Sequence, residues 1–146
     1  MSKSIEYERL REINPESDEE LLGSGFAFPL RVTTSGGTKV AKGEDSVKSS
    51  IFHIATYNRG DLYGTPSFGS NLPKMLFTVF SGDKLALHEE WLKQGIENWE
   101  PRIADLRVTA GKDVNDTTNS KVVILAQYRV VSTSVEQYTL LPVGKE

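Results

Sequence analysis

The sequence predicts an α+β domain: two main helices packed on one face of a small, mostly antiparallel sheet, with a short helical appendage at the N-terminus. Three observations predict it. Apolar residues recur at helical spacing over 45–57 and 81–98. They alternate with polar residues at period two over 26–32, 104–108 and 121–131. Turns bearing Gly, Pro and Asn separate these windows. With 146 residues and 38% hydrophobic content, the chain fits one domain that buries a core without staples.

Residues 1–22 read as an extension ahead of a domain spanning 23–146. Asn14 precedes Pro15 at a first helical position, and Glu16, Asp18, Glu19 and Glu20 suit a helix start. Leu21, Leu22 and Gly23 give that helix its end. From Phe26, the residues Phe26, Phe28, Leu30 and Val32 fall on one face of an expected strand. Pro29 cannot donate to a ladder and marks an edge. Ser35-Gly36-Gly37 is a hairpin turn, with a return strand near Lys39 to Ala41.

Asp45 is the expected N-cap of a helix running to about Tyr57, with Val47, Ile51, Ile54 and Ala55 as its core stripe. Phe52 and His53 fall off that stripe. Asn58-Arg59-Gly60 closes the helix, and a loop, Gly64 to Gly69, leads to an apolar segment, Leu72 to Phe80. A second helix starts near Ser81 or Asp83 and runs to about Asn98. Its stripe is Leu85, Leu92, Ile96 and Trp99, while Leu87 and Trp91 share a different face. A helix with two apolar faces serves a core and an interface. Strands follow over Ala104 to Val108, Lys121 to Val131 and Val135 to Val143, the first two joined by the polar stretch Gly111 to Ser120.

Composition excludes several classes of function. There are no cysteines, so disulfides, thiolate catalysis and Cys-based zinc sites are out. Net charge is −3 and the 17 Lys and Arg are scattered, which argues against nucleic acid and anionic membranes as partners. Residues 1–10 carry no apolar run, so no secretory signal is expected, and no apolar stretch is long enough to span a bilayer.

No cofactor or metal site is expected either. Gly23-Ser24-Gly25 precedes a strand and lacks the Lys-Ser/Thr of a phosphate loop, so it reads as a hinge. His53 and His88 sit on separate helices without carboxylates at ligand spacing, and His88 reads as a satisfied structural histidine. No nucleophile elbow is present. Glycosidase chemistry needs two carboxylates flanking a bond. Glu100 with Asp61, Glu97 or Asp105 supplies the residue types, but any acidic protein offers such pairs; they read as charges on a solvated face, and no catalytic residue is assigned.

The most distinctive stretch is Trp99-Glu100-Pro101-Arg102-Ile103. Pro101 ends the helix and holds Glu100 extended. The expectation is a corner that swings out and presents Glu100 and Arg102 between the anchors Trp99 and Ile103. Arg offers a planar fork suited to carboxylates and carbonyls.

These residues carry a resemblance. Gly23-x-Gly25-Phe26-x-Phe28-Pro29-Leu30, Ser50-Ile51-x-x-Ile54, Pro66-x-Phe68-Gly69-Ser70-x-Leu72, Phe77 and Trp99-Glu100-Pro101-Arg102-Ile103 stand in the order of the contractile-tail baseplate wedge family, often labelled gene-25-like lysozyme. The chain resembles that family from about residue 23 onward. The resemblance implies a structural protein of the virion tail, present in several symmetry-related copies. Its implied partners are other baseplate wedge proteins, the tail sheath subunit, and tail tube and hub proteins. It implies docking on the wedge core through Glu100, Pro101 and Arg102, and strands lent to the first sheath ring. The Phe26–Val32 hairpin and the C-terminal strand are both candidates for the lent strand. Trp99, Phe52, Leu87 and Trp91 join the expected protein-binding set. The opening Gly-x-Gly-Phe-x-Phe-Pro-Leu hairpin resembles phage or phage-derived members more than type VI secretion relatives. Two other functions stay open, a peptidoglycan hydrolase and a stress-regulator anti-adaptor sharing the fold.

Overall fold

A computed structural model describes residues 21–77, 81–112 and 122–143. The helix start at Asn14-Pro15 and most of the polar stretch after Gly111 lie outside the described residues. The element order is β1 (Ser24–Phe26), β2 (Val40–Lys42), α1 (Glu44–Thr56), a 3-10 helix (Leu72–Phe77), α2 (Gly82–Trp99), β3 (Ile103–Lys112), β4 (Val122–Val130) and β5 (Glu136–Val143). The class is α+β, as expected. The strands divide into two antiparallel sheets, a ribbon β1-β2 and a three-stranded sheet ordered β3-β4-β5.

The long strand β4 sets the core. Val122, Ile124, Ala126, Tyr128 and Val130 are buried in strict alternation, as the period-two pattern requires of a sheet covered on one face. Against them pack Val47, Ile51 and Ile54 of α1 and Leu92 and Ile96 of α2, all buried. Each such side chain contributes about 1.5–3 kcal/mol through burial. Leu22, helical with Leu21, belongs to the same core. Inside it the Tyr128 hydroxyl lies 3.1 Å from Thr139 Oγ1, so both buried polar atoms are satisfied.

Four expectations are corrected. The strand over Phe26–Val32 does not form. β1 stops at Phe26 and a single bridge, Val32 to Thr38, follows. Pro29 lacks the N–H a ladder needs. Phe28, instead of sharing a face with Phe26, turns inward against Phe52 and His53. The turn at Ser35-Gly36-Gly37 does form, with the Thr33 N–H donating to the Gly37 carbonyl and Gly36 at φ 85°.

The first helix starts one residue earlier than Asp45. Gly43, at φ 56°, occupies the N-cap, its N–H donating to the Gly23 carbonyl, and Asp45 falls in the first turn beside Glu44. There its charge favours the helix dipole without capping.

In β3 the alternation is interrupted. Ile103 and Leu106 are both buried although three residues apart, because a bulge lies between Ala104 and Arg107 with Asp105 at φ 55°. The extra residue returns the apolar side chains to the core face. His88 is buried, yet among the described residues its Nδ1 has no hydrogen-bond partner. It is therefore not the satisfied histidine the sequence suggested.

Candidate functional site

The corner at the end of α2 is built from both directions. The helix closes with the Glu100 N–H donating to the Ile96 carbonyl at 2.8 Å, and Pro101 ends it for want of an N–H. Trp99, half-buried, donates from Nε1 to the Ser67 carbonyl at 3.2 Å and meets the Phe68 ring edge-on at 5.3 Å. Ile103 enters the core as β3 begins, and the Arg102 carbonyl accepts from the Val131 N–H at 2.9 Å.

The expectation that Glu100 and Arg102 swing outward is corrected. Glu100 is only 2% exposed. Its two carboxylate oxygens accept from Arg102 Nε and Nη2, both at 2.6 Å, the fork-to-fork geometry that suits a guanidinium. Arg102 reaches further inward, donating from Nη1 to the Leu22 carbonyl at 2.6 Å and to Ser46 Oγ at 3.2 Å. The physical reason is that an Arg must be surrounded by acceptors before its Glu partner can be taken out of water. The corner is therefore an internal clamp joining the N-terminal segment, the start of α1 and the α2–β3 junction. Pro101 remains exposed and the Arg102 side chain partly so.

The structure does not gather the expected protein-binding residues into one patch. Trp99, Glu100, Pro101 and Arg102 share the corner. Leu87, 46% exposed, and Trp91, half-buried with its ring edge-on to His88 at 5.0 Å, lie toward the other end of α2. At about 1.5 Å per residue, Leu87 is about 18 Å from Trp99 along the helix. Phe52 sits on α1 under Phe28.

Sequence reasoning missed three features. Among the described residues Leu22 and Ser46 are further partners of the clamp, and no local pattern signals contacts across 80 and 56 positions. An aromatic chain runs from Phe28 through His53 to Tyr57 and Phe68 and ends on Trp99, so the off-stripe His53 is one of its rings. Gly95 lets α2 approach the loop, since a Cβ there would lie 3.0 Å from the Gly69 carbonyl oxygen. A glycine inside a helix was the available signal for that contact.

The chemistry of the site is limited. Of the carboxylates considered beside Glu100, Asp61 is exposed and accepts from Asn58, Glu97 is exposed, and Asp105 is exposed and paired with Arg129. With both oxygens held by Arg102, Glu100 is not placed to hand a proton to a leaving group. Among the described residues no three His, Asp or Glu side chains converge as metal ligands, and no helix is long and apolar enough to cross a membrane.

Residues 41–135 match the family described as baseplate wedge protein gp25. Among solved structures, a protein of Geobacter sulfurreducens described as a putative tail lysozyme is 28% identical, with a TM-score of 0.61 over 73% of this chain and 95% of its own. A chain of the anti-feeding prophage baseplate is 19% identical, with a TM-score of 0.59 over 86% of this chain and 87% of its own. A chain of the type VI secretion system baseplate complex is 14% identical, with a TM-score of 0.55 over 67% and 89%. At those lower identities the likeness is one of fold. No curated protein matches the sequence.

Proposed function

The chain belongs to the baseplate wedge protein gp25 family, and from that membership we propose that it is a structural wedge component of a contractile phage tail or a phage-like injection system. The family match over residues 41–135, which includes the Glu100-Pro101-Arg102 corner, carries this reading. In it, 23–146 is the wedge domain and 1–22 an extension outside the family's pattern.

The domain docks on the wedge core through the outer surface of the corner, Pro101 with Trp99 beside it, and through the second face of α2 at Leu87 and Trp91. Glu100 and Arg102 act there by holding the corner rigid. The domain also offers a strand to the first ring of sheath subunits. Of the three-stranded sheet's two edge strands, β3 already spends the Ala110 N–H on Glu89 of α2. Among the described residues no strand pairs with the outer edge of β5, and the exposed Tyr138 and Leu140 beside it support that edge as the strand offered.

Tail assembly in cells supplied with variant chains tests this. Leu87→Asp and Tyr138→Glu/Leu140→Glu change exposed side chains, so the proteins are expected to fold as before. The first is expected to be missing from purified baseplates, and the second to be present but without sheath. Sheathed, contractile tails from both variants would sink the reading.

The description of the Geobacter protein favours a second reading, a peptidoglycan hydrolase. Clearing of cell-wall suspensions by the purified protein, lost in Glu100→Gln, would establish it; the Arg102 clamp on Glu100 predicts no clearing. An anti-adaptor role predicts regulatory genes beside this one in place of tail and sheath genes.

A further inference from the structure

A groove lies between the β1–β2 hairpin and α1, and no residue of the docking corner lines it. Its apolar lining includes Phe28, Pro29, Ala41 and Phe52. Among the described residues its lining also carries Arg31, Lys39 and Lys48 against a single carboxylate, Asp45. Among the described residues none of the three cations forms an ion pair. The surplus of positive charge runs against a chain whose net charge is −3. Three unpaired cations around an apolar trough are electrostatically complementary to a ligand that bears both carboxylates and apolar side chains.

The ribbon's register adds a directional feature. Ala27 N–H donates to the Lys39 carbonyl and Gly43 N–H to the Gly23 carbonyl, while Phe26 stands opposite Val40. In an antiparallel ladder, bonded and non-bonded pairs alternate. Phe26 and Val40 are thus a non-bonded pair, and the N–H and C=O of Val40 point away from β1. Val40 also lines the groove and is 49% exposed. A backbone donor and acceptor beside a cationic trough suit an extended chain better than a helix or a small anion.

We infer that this groove binds an extended acidic segment of a partner protein, its carboxylates meeting Arg31, Lys39 and Lys48 and its apolar side chains covering Phe28 and Phe52. The site does not depend on the baseplate reading, since it is drawn from the groove's own residues.

Fluorescence anisotropy on the full chain tests it with a labelled peptide alternating Glu or Asp with Leu or Val, beside the same peptide with Lys for each acid. The acidic peptide is expected to bind saturably and the basic one not at all. Raising ionic strength from about 0.1 M to about 1 M, which shortens the Debye length from about 10 Å to about 3 Å, is expected to weaken binding several-fold. Arg31→Glu/Lys39→Glu, both at exposed positions, is expected to cost at least about tenfold, or about 1.4 kcal/mol. Lys48→Gln gives a smaller loss in the same direction, and Arg107→Glu on β3 none.

Equal binding of the two peptides, or indifference to Arg31→Glu/Lys39→Glu, overturns the inference. So does displacement of the peptide by a single-stranded oligonucleotide, which would make this a nucleic-acid groove. If Glu16→Gln/Asp18→Asn/Glu19→Gln/Glu20→Gln raises peptide affinity about tenfold, the chain's own acidic run fills the groove and the partner assignment falls. These outcomes are read on the purified protein, so they are distinct from failure of the baseplate reading, which tail assembly decides.

Discussion

Arg102→Ala would remove the only counter-charge within reach of the Glu100 carboxylate among the described residues. The side chain of Glu100 is 1% exposed, and two of its bonds from the guanidinium are 2.6 Å long. Truncating one partner of a buried pair leaves the other charged and desolvated, which costs about 3–5 kcal/mol. The same change frees the Leu22 carbonyl and Ser46 Oγ, so the upper part of that range applies. Set against a total of about 5–15 kcal/mol, this is a large fraction of the domain's stability. Thermal unfolding followed by circular dichroism is expected to show a Tm lower by about 10 °C or more.

The paired change Glu100→Leu/Arg102→Met removes both charges and keeps most of the volume. Such replacements range from neutral to stabilising by about 1–4 kcal/mol, less whatever the Leu22 contact contributes. The comparison separates two roles of the corner. If the guanidinium only braces the fold, the paired variant enters baseplates and Arg102→Ala does not. If the guanidinium itself meets a partner, both are excluded although the paired variant is stable. A loss below about 1 kcal/mol for Arg102→Ala, the value of an exposed pair, would refute the clamp.

Gly95→Ala brings a Cβ to 3.0 Å from the Gly69 carbonyl oxygen and 3.1 Å from Ser70 Cβ; urea unfolding is expected to show a loss of about 1–3 kcal/mol despite the better helix propensity of Ala. Tyr128→Phe strands Thr139 Oγ1 and is expected to cost about 1 kcal/mol at neutral pH. Burial raises the Tyr128 pKa above its ordinary 10.0. The unfolded chain therefore ionises first, and the wild type loses stability as pH rises from about 10 toward the folded pKa; in Tyr128→Phe that share of the alkaline loss is absent. For His88, burial lowers the pKa below 6.5. Its neutral ring therefore favours folding above about pH 6.5, and stability falls as pH drops through the folded pKa. His88→Leu, which also removes an Nδ1 without a partner among the described residues, is expected to flatten the acid limb of a stability-versus-pH curve.

The local pattern of residues accounts for much of the architecture. The stripe Val47, Ile51, Ile54 and Ala55 is the buried face of α1, and Val122 to Val130 is the alternating heart of the sheet. Both periods arise from backbone geometry alone, so they are legible without a partner element. The ordered motifs likewise carry the resemblance to the family that residues 41–135 match.

Where the outcome depended on what lay across the fold, local reading failed. The alternation at Phe26, Phe28, Leu30 and Val32 has the period of a strand, yet Phe28 is drawn in by Phe52 and His53 while Phe26 stays 72% exposed. The bulge at Asp105 exists because β3 must keep both Ile103 and Leu106 on the core face, a demand set by β4. The corner is the clearest case. Its residues, its break at Pro101 and its charged pair were all readable in order along the chain. Their direction was not, because it is set by a carbonyl 80 positions away at Leu22 and a hydroxyl at Ser46. A charged pair turns inward only where other acceptors complete its shell, and those acceptors are brought together by tertiary packing.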